Sequence, residues 1–250
     1  MLRRAPVAVP VEYPSSDGQP MAENDAQRHA IIYAISALTR HFKRRSDAYV
    51  SGDLLIYYEE GNPRVSIAPD VFVVFGVEDR ERPNYKLWEE RRAPNFVLEV
   101  ASPSTWRDDL TRKRSVYERL GVREYCQYDP KGEHLPARLL GWRLTPSGYV
   151  RQPVETAPDG GSTLQSRTLG LELRASPGRD MRFRSPATGC DLYSYDEEAE
   201  GRRAEAEGRR AEAEGRRAEA EGRRAAEARA AEAEARAAEA EALLRQRADR

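Results

Sequence analysis

Cysteine, histidine and lysine are scarce in this chain: its 250 residues hold two, three and four of them. Cys126 and Cys190 are too few and too far apart for a disulfide framework or a thiolate zinc site, which suits a reducing compartment. His29, His41 and His134 show no metal-ligand spacing. No run approaches the roughly 18 apolar residues of a membrane span, and the first 20 residues have no apolar core long enough for a secretory signal. The net charge of −1 supplies no overall field toward nucleic acid or an anionic membrane, so any such binding must come from a local basic patch. These absences lead us to expect a soluble, cytoplasmic protein with no membrane contact.

Composition divides the chain. Residues 1–20 are rich in Pro and Ser without a usable period and read as a flexible N-terminal arm. Residues 21–196 read as one globular domain, long enough to bury about 70% of the unfolded chain's surface. Residues 197–250 are an Ala/Glu/Arg-rich heptad extension. Within the domain, Ile31, Ile35, Leu38 and Phe42 recur at helical spacing over about 22–45, with Asn24 or Asp25 as the cap. Strands are predicted at 54–60, 68–76, 93–101 and 124–129, with a polar loop over 77–92 and a helix at 107–120. Extended segments follow at 137–144, 148–155, 169–176, 181–186 and 190–196. The fold class this predicts is α/β or α+β, a mixed sheet flanked by a few helices.

The stretch from Ala68 to Asp129 carries the chemistry. Both faces of the strand around FVLEV are apolar except at Glu99, and Asp70 interrupts the apolar run APDVFVVFG in the same way. A lone buried carboxylate costs several kcal/mol unless it is paired, hydrogen-bonded or bound to a metal. On the helix, Leu110, Lys113, Tyr117 and Leu120 form one stripe, which turns Lys113 inward while Arg112, Glu118 and Arg119 face out. In a chain whose other basic residues are nearly all arginine, a lysine there is notable, because a compact ammonium suits transition-state stabilisation or the orientation of a water. Plain structural readings stand beside each: Lys113 snorkelling over the core edge, Asp70 entering a strand after Pro69, Glu99 paired with an arginine.

The combination APDVFVV, FVLEVASPST and RDDLTRKRSVYERLGVREYCQYD resembles the Uma-two-type restriction-endonuclease family of the PD-(D/E)XK nuclease superfamily. The residues that carry it are Asp70, Glu99, Ser102 to Thr105, Asp109, Lys113, Tyr117, Glu124, Tyr125 and Asp129. Ala101 stands where the superfamily's lysine normally sits, two residues after the Glu, and the resemblance implies that Lys113 takes that role from the adjacent helix. It further implies a restriction-endonuclease-like sheet and hydrolysis of DNA phosphodiester bonds. Asp70, Glu99 and the Val100 backbone carbonyl would hold Mg2+ or Mn2+, and Lys113 would help position a water. Glu23, Asp109 and Tyr117 are possible supporting residues; Arg107, Arg112 and Arg114 could contact phosphates or simply form a solvated face. Glu23 also reads as a solvated acid near a helix N-terminus.

The extension repeats EGRRAEA from Glu200. Pairs such as Glu205 with Arg209 and Glu212 with Arg216 support a helix by a few tenths of a kcal/mol each. The four glycines Gly201, Gly208, Gly215 and Gly222 each cost it about 1 kcal/mol relative to Ala. A solvated helix and a coiled coil with a Gly/Ala seam are both open, and homo-oligomerisation through the domain or this helix is conceivable. Two other functions compete with the nuclease: a catalytically silent nuclease fold that binds, and an interaction protein acting through the tail.

Overall fold

The computed structural model describes residues 11–16, 18, 24–158, 160–178 and 180–248, with side chains to Arg236 and at Ala238. Glu23 lies outside the described residues. The chain divides into two units, Met1–Tyr195 and Asp196–Arg250.

The first helix, α1 (Asp25–Phe42), starts where Asn24 accepts the Gln27 N–H at 3.0 Å, a side-chain cap on one of the orphan donors of the first turn. It buries Ala30, Ile31, Ala34 and Leu38 on one stripe. Gln27 continues that stripe toward the N-terminus. His29 on the same helix is exposed.

Ten further elements build the main body. They are β1 (Ala48–Ser51), β4 (Val71–Phe75), β6 (Phe96–Val100), β7 (Glu124–Tyr128), β8 (Leu139–Thr145) and β9 (Gly148–Arg151) in one sheet of order β1-β4-β6-β7-β8-β9. A smaller sheet of order β3-β2-β5 joins β2 (Ile56–Tyr57), β3 (Ser66–Ile67) and β5 (Tyr85–Lys86), with the short α2 (Leu87–Glu90) behind it. The β6–β7 pair is parallel and the other neighbours in the main sheet are antiparallel, so the sheet is mixed. A parallel pair needs a crossover, and the segment between β6 and β7 supplies one. It is helical throughout but not uniform: α3 (Trp106–Asp108), a wider π-helical turn Asp109–Lys113, then α4 (Arg114–Leu120) ending at Gly121 in the left-handed conformation (φ 79).

A second, antiparallel sheet of order β10-β11-β12-β13 comprises β10 (Glu155–Thr156), β11 (Ser162–Ser166), β12 (Leu171–Ala175) and β13 (Arg182–Arg184). Its apolar residues Leu164, Leu171, Leu173 and Phe183 share one core with α1 and with Val71, Phe96, Leu98 and Cys126 of the main sheet. On the opposite face Phe72, Val97 and Tyr125 pack against Val116 and Tyr117 of α4. The central strands are therefore covered on both sides, as their unbroken apolar runs require.

Several expectations change. The strand expected at 54–60 shrinks to Ile56–Tyr57, and the one at 68–76 starts only at Val71, leaving Asp70 in the bend before it. The loop over 77–92 holds β5 and α2, and residues 190–196 contribute an isolated bridge from Asp191 to Arg184 and the first two residues of the C-terminal helix. Glu118 turns inward, not out, because its carboxylate accepts the Tyr149 N–H at 2.7 Å. In the segment read as a flexible arm, Tyr13 packs edge-on to Tyr57 and accepts the Gly61 N–H through its hydroxyl at 2.6 Å.

The second unit is a helix: α5 (Tyr195–Ala248) runs for 54 residues with largely exposed side chains. Glu198 pairs with Arg202 at 2.9 Å and Glu232 with Arg236 at 2.9 Å, while Glu205–Arg209 and Glu212–Arg216 stand at 3.8 Å. No helix among the described residues is long and apolar enough to cross a membrane.

Candidate active site

The antiparallel register brings the two acids together. Val71 pairs with Leu98 and Phe72 with Val97, so one step further along sets Asp70 across from Glu99 on the face that α4 covers. Asp70 Oδ2 accepts the Val100 N–H at 2.7 Å, which ties the bend before β4 to the last residue of β6. Gly52 makes that bend possible: a Cβ there would collide with the Asp70 carbonyl oxygen and come within 2.6 Å of Ile35 Cδ1.

The crossover helix closes over the pair. Lys113 Nζ donates to Glu99 Oε2 at 2.9 Å and lies 3.1 Å from Asp109 Oδ1. The second contact is an ion pair without an aligned hydrogen bond, since Asp109 Oδ1 has no hydrogen-bond partner. Tyr117 donates its hydroxyl to Glu99 Oε1 at 2.5 Å. Asp109 Oδ2 accepts from Thr105 Oγ1 at 3.1 Å, and Thr105 in turn meets Ser102 Oγ at 2.9 Å. Tyr125 Oη donates to the Asp109 carbonyl at 2.8 Å, holding the π turn onto β7. Asp70, Glu99, Lys113, Asp109 and Tyr117 thus form one cluster. Glu99 and the Asp109 and Tyr117 side chains are almost wholly buried.

Three carboxylates share one ammonium, and the electrostatics follow from that imbalance. Burial and then the neighbouring Glu99 push the Asp70 carboxyl well above its ordinary range. The same two causes raise Asp109 to about 7, although Lys113 and Thr105 pull the other way. Burial alone would lower the pKa of Lys113, but Glu99, Asp109 and Asp70 together push it up, so the side chain stays an ammonium. Burial also raises the Tyr117 and Tyr125 phenols, which therefore act as donors.

The arginines read as phosphate contacts all have protein partners. Arg107 lies over the Trp106 ring at 4.4 Å, Arg114 over Trp142 at 4.6 Å, and Arg112 binds Asp108 at 2.6 Å while remaining 58% exposed. Glu124 and Asp129, part of the sequence resemblance, do structural work. Glu124 accepts from Ser166 Oγ and from the Arg167 and Thr168 N–H groups, pinning the turn after β11. Asp129 accepts four backbone N–H groups, from Lys131, Gly132, His134 and Leu135.

Two buried amides escaped the sequence reading. Gln127 pairs in register with Glu99 on the same sheet face; its Oε1 accepts from the Trp142 indole at 3.4 Å, and its Nε2 has no hydrogen-bond partner. Gln27 reaches across from α1 to the Val100 carbonyl, Nε2 to O 3.2 Å. A polar residue at an otherwise apolar stripe or strand-face position is the signal that could have found both.

A mixed sheet with one helical crossover, and acids and a lysine gathered at the end of its central strands, belongs with the restriction-endonuclease-like α+β folds. The chain is a member of the Uma2 family, described as "putative restriction endonuclease", whose pattern matches residues 8–176. Among solved structures it is similar to a protein titled a "putative nuclease belonging to DUF820" from Anabaena variabilis ATCC 29413. Identity there is 12% and the TM-score 0.35, over 68% of this chain and 78% of that one. No curated protein matches the chain.

Proposed function

We propose that this protein is a Mg2+-dependent endonuclease that hydrolyses phosphodiester bonds of DNA, with Asp70, Glu99 and Lys113 as its catalytic residues. The observation that supports this most is Lys113 Nζ seated between Glu99 and Asp109, with Asp70 across the register from Glu99. Family membership supports the reaction class.

A hard divalent cation suits the donors present. Asp70, Glu99 and the Val100 carbonyl are all oxygen ligands, the type that Mg2+ and Mn2+ take. Burial, and then the negative charge of Glu99 beside them, raises two of the cluster's carboxyls, a cost that a bound cation would offset. Among the described residues no group of three Asp, Glu, His or Cys side chains is placed to hold a metal; in this reading the Val100 carbonyl would complete the set. A bound cation would lower the pKa of a coordinated water and offset charge on the phosphate. The chain's own groups do the rest. Lys113, fixed as an ammonium, acts by charge and by donating hydrogen bonds. Tyr117 orients Glu99, Asp109 holds Lys113 in line, and Arg107, Arg112 and Arg114 border the helix where flanking phosphates would lie.

One feature favours a silent binding module instead: both Glu99 oxygens are already taken, by Lys113 and Tyr117. Incubation of supercoiled plasmid with the purified chain separates the two. We expect nicking or cutting with Mg2+ or Mn2+, none with EDTA, and none from Asp70→Asn or Lys113→Ala. DNA binding without cleavage under all metals would establish the silent module, and equal cleavage by wild type and both variants would overturn the site.

A further inference from the structure

We propose that Gln27 is a positioning residue of this same site: through Val100 it steadies both the carbonyl read here as a metal ligand and the N–H that holds the Asp70 carboxylate. The inference rests on the reading of Asp70, Glu99 and the Val100 carbonyl as the metal-holding set.

Gln27 occupies the first turn of α1, in line with Ala30, Ile31 and Ala34, and is 4% exposed. An aliphatic side chain would fill that place without burying polar atoms, and a buried amide is costly unless bonded. Its Nε2 donates to the Val100 carbonyl at 3.2 Å, across 73 residues of chain. The other end of the same residue is held as well, because the Val100 N–H goes to Asp70 Oδ2 at 2.7 Å. The peptide unit that carries this carbonyl is held on its other side too, by its Ala101 N–H donating to Tyr128 O at 2.8 Å. Val100 is thus gripped by a helix amide on its carbonyl and by a candidate metal ligand on its N–H. If the strand end twisted, the carbonyl would change direction and Asp70 would lose its donor.

The carbonyl oxygen has two lone pairs, so a hydrogen bond from Gln27 leaves one for a cation. This arrangement parallels outer groups that orient the direct ligands of a metal, whose loss typically costs 10–100-fold in affinity or activity. Gln27 itself has no part in the bond-breaking step.

The test compares wild type with Gln27→Met and Gln27→His by calorimetric titration with Mn2+ alone, by thermal unfolding, and by steady-state cleavage. Methionine has nearly the same length and suits an apolar stripe, so the fold should survive with a midpoint within a few degrees of wild type. We expect its Mn2+ affinity to fall about tenfold or more, and kcat to fall while KM for DNA holds. Histidine can present an N–H at similar reach and should recover affinity to within a few-fold. A folded Gln27→Met that binds Mn2+ as tightly as wild type overturns the proposal. So does a folded Gln27→His variant that binds Mn2+ about tenfold or more weaker than wild type, and this comparison serves if Met fails to fold. Wild type that neither binds Mn2+ nor cuts would instead overturn the metal-site reading on which the proposal stands.

Discussion

Asp109→Asn should make the protein more stable, and increasingly so as pH rises from acid to alkaline. The Asp109 carboxyl is raised from 3.8 to about 7 by burial and by Glu99, so the folded state resists its ionisation. For a raised carboxyl, the folded protein holds a proton that the unfolded chain has already released. Its stabilisation is fully present below the unfolded value and is lost as pH rises through the folded value. At ~1.4 kcal/mol per pH unit, keeping this carboxylate charged at pH 8 costs up to ~4 kcal/mol. Relaxation and charge sharing with Glu99 and Asp70 reduce that to about 1–3 kcal/mol. Asparagine removes the charge and keeps the shape: its carbonyl can face Lys113 while its amide donates to Thr105 Oγ1, whose hydroxyl turns to Ser102. For a domain of this size about 2–4 °C accompanies each kcal/mol, so the midpoint should rise by roughly 3–10 °C at pH 8. At pH 5, only about one pH unit above the unfolded value, the gain should shrink to about a third of that at pH 8. Thermal unfolding by circular dichroism in EDTA at both pH values reads this directly. A lower midpoint at pH 8, or the same gain at pH 5 and pH 8, would refute the electrostatic account of the cluster.

Two further outcomes follow from neighbouring features. Burial alone would raise the Asp129 carboxyl, but four backbone N–H donors bring it below the usual range. Its contribution is therefore present above the unfolded value near ~4 and lost as pH falls further. Asp129→Ala should cost about 2–4 kcal/mol in urea unfolding at pH 7 by stranding those donors, and progressively less as pH falls below ~4; a loss that does not shrink with falling pH would remove the carboxylate from the explanation. Gly52→Ala should destabilise by about 1–3 kcal/mol and lower cleavage together with it, because its methyl displaces the Asp70 backbone. A variant with wild-type stability and activity would show that the bend before β4 is not held by this contact.

How far the chain could be read without coordinates depended on the length over which each pattern persists. The runs around Phe72 and Val97 and the stripe of α1 extend for several residues of one period, and the elements were visible. So were Asp70, Glu99 and Lys113, each a polar residue in an apolar run. The strands β1 and β5 have only four and two residues, too few for a period, and pairing partners distant in sequence decide them. Gln27 looked like one more polar residue at a helix start, because its partner at Val100 exists only once α1 packs on the sheet. Glu118 was read as outward because its acceptor role belongs to the Tyr149 N–H, a neighbour that only the β8–β9 hairpin brings near. The break in the crossover helix left no trace at all, since its sequence is compatible with an ordinary α-helix.

That break has a consequence for spacing. Asp109, Lys113 and Tyr117 follow one another at steps of four, and a step of four overshoots a 3.6-residue α turn. Through the wider π turn, whose bonds reach one residue further, the same step falls just short. The two drifts run in opposite senses, like the offset scales of a vernier, and all three side chains come to bear on the same place. The length of this segment is therefore as much a part of the site as its side chains. Deleting one residue between Asp109 and Lys113 would relax the π turn to α and swing the lysine away from Glu99, with every charged group of the cluster still in the sequence.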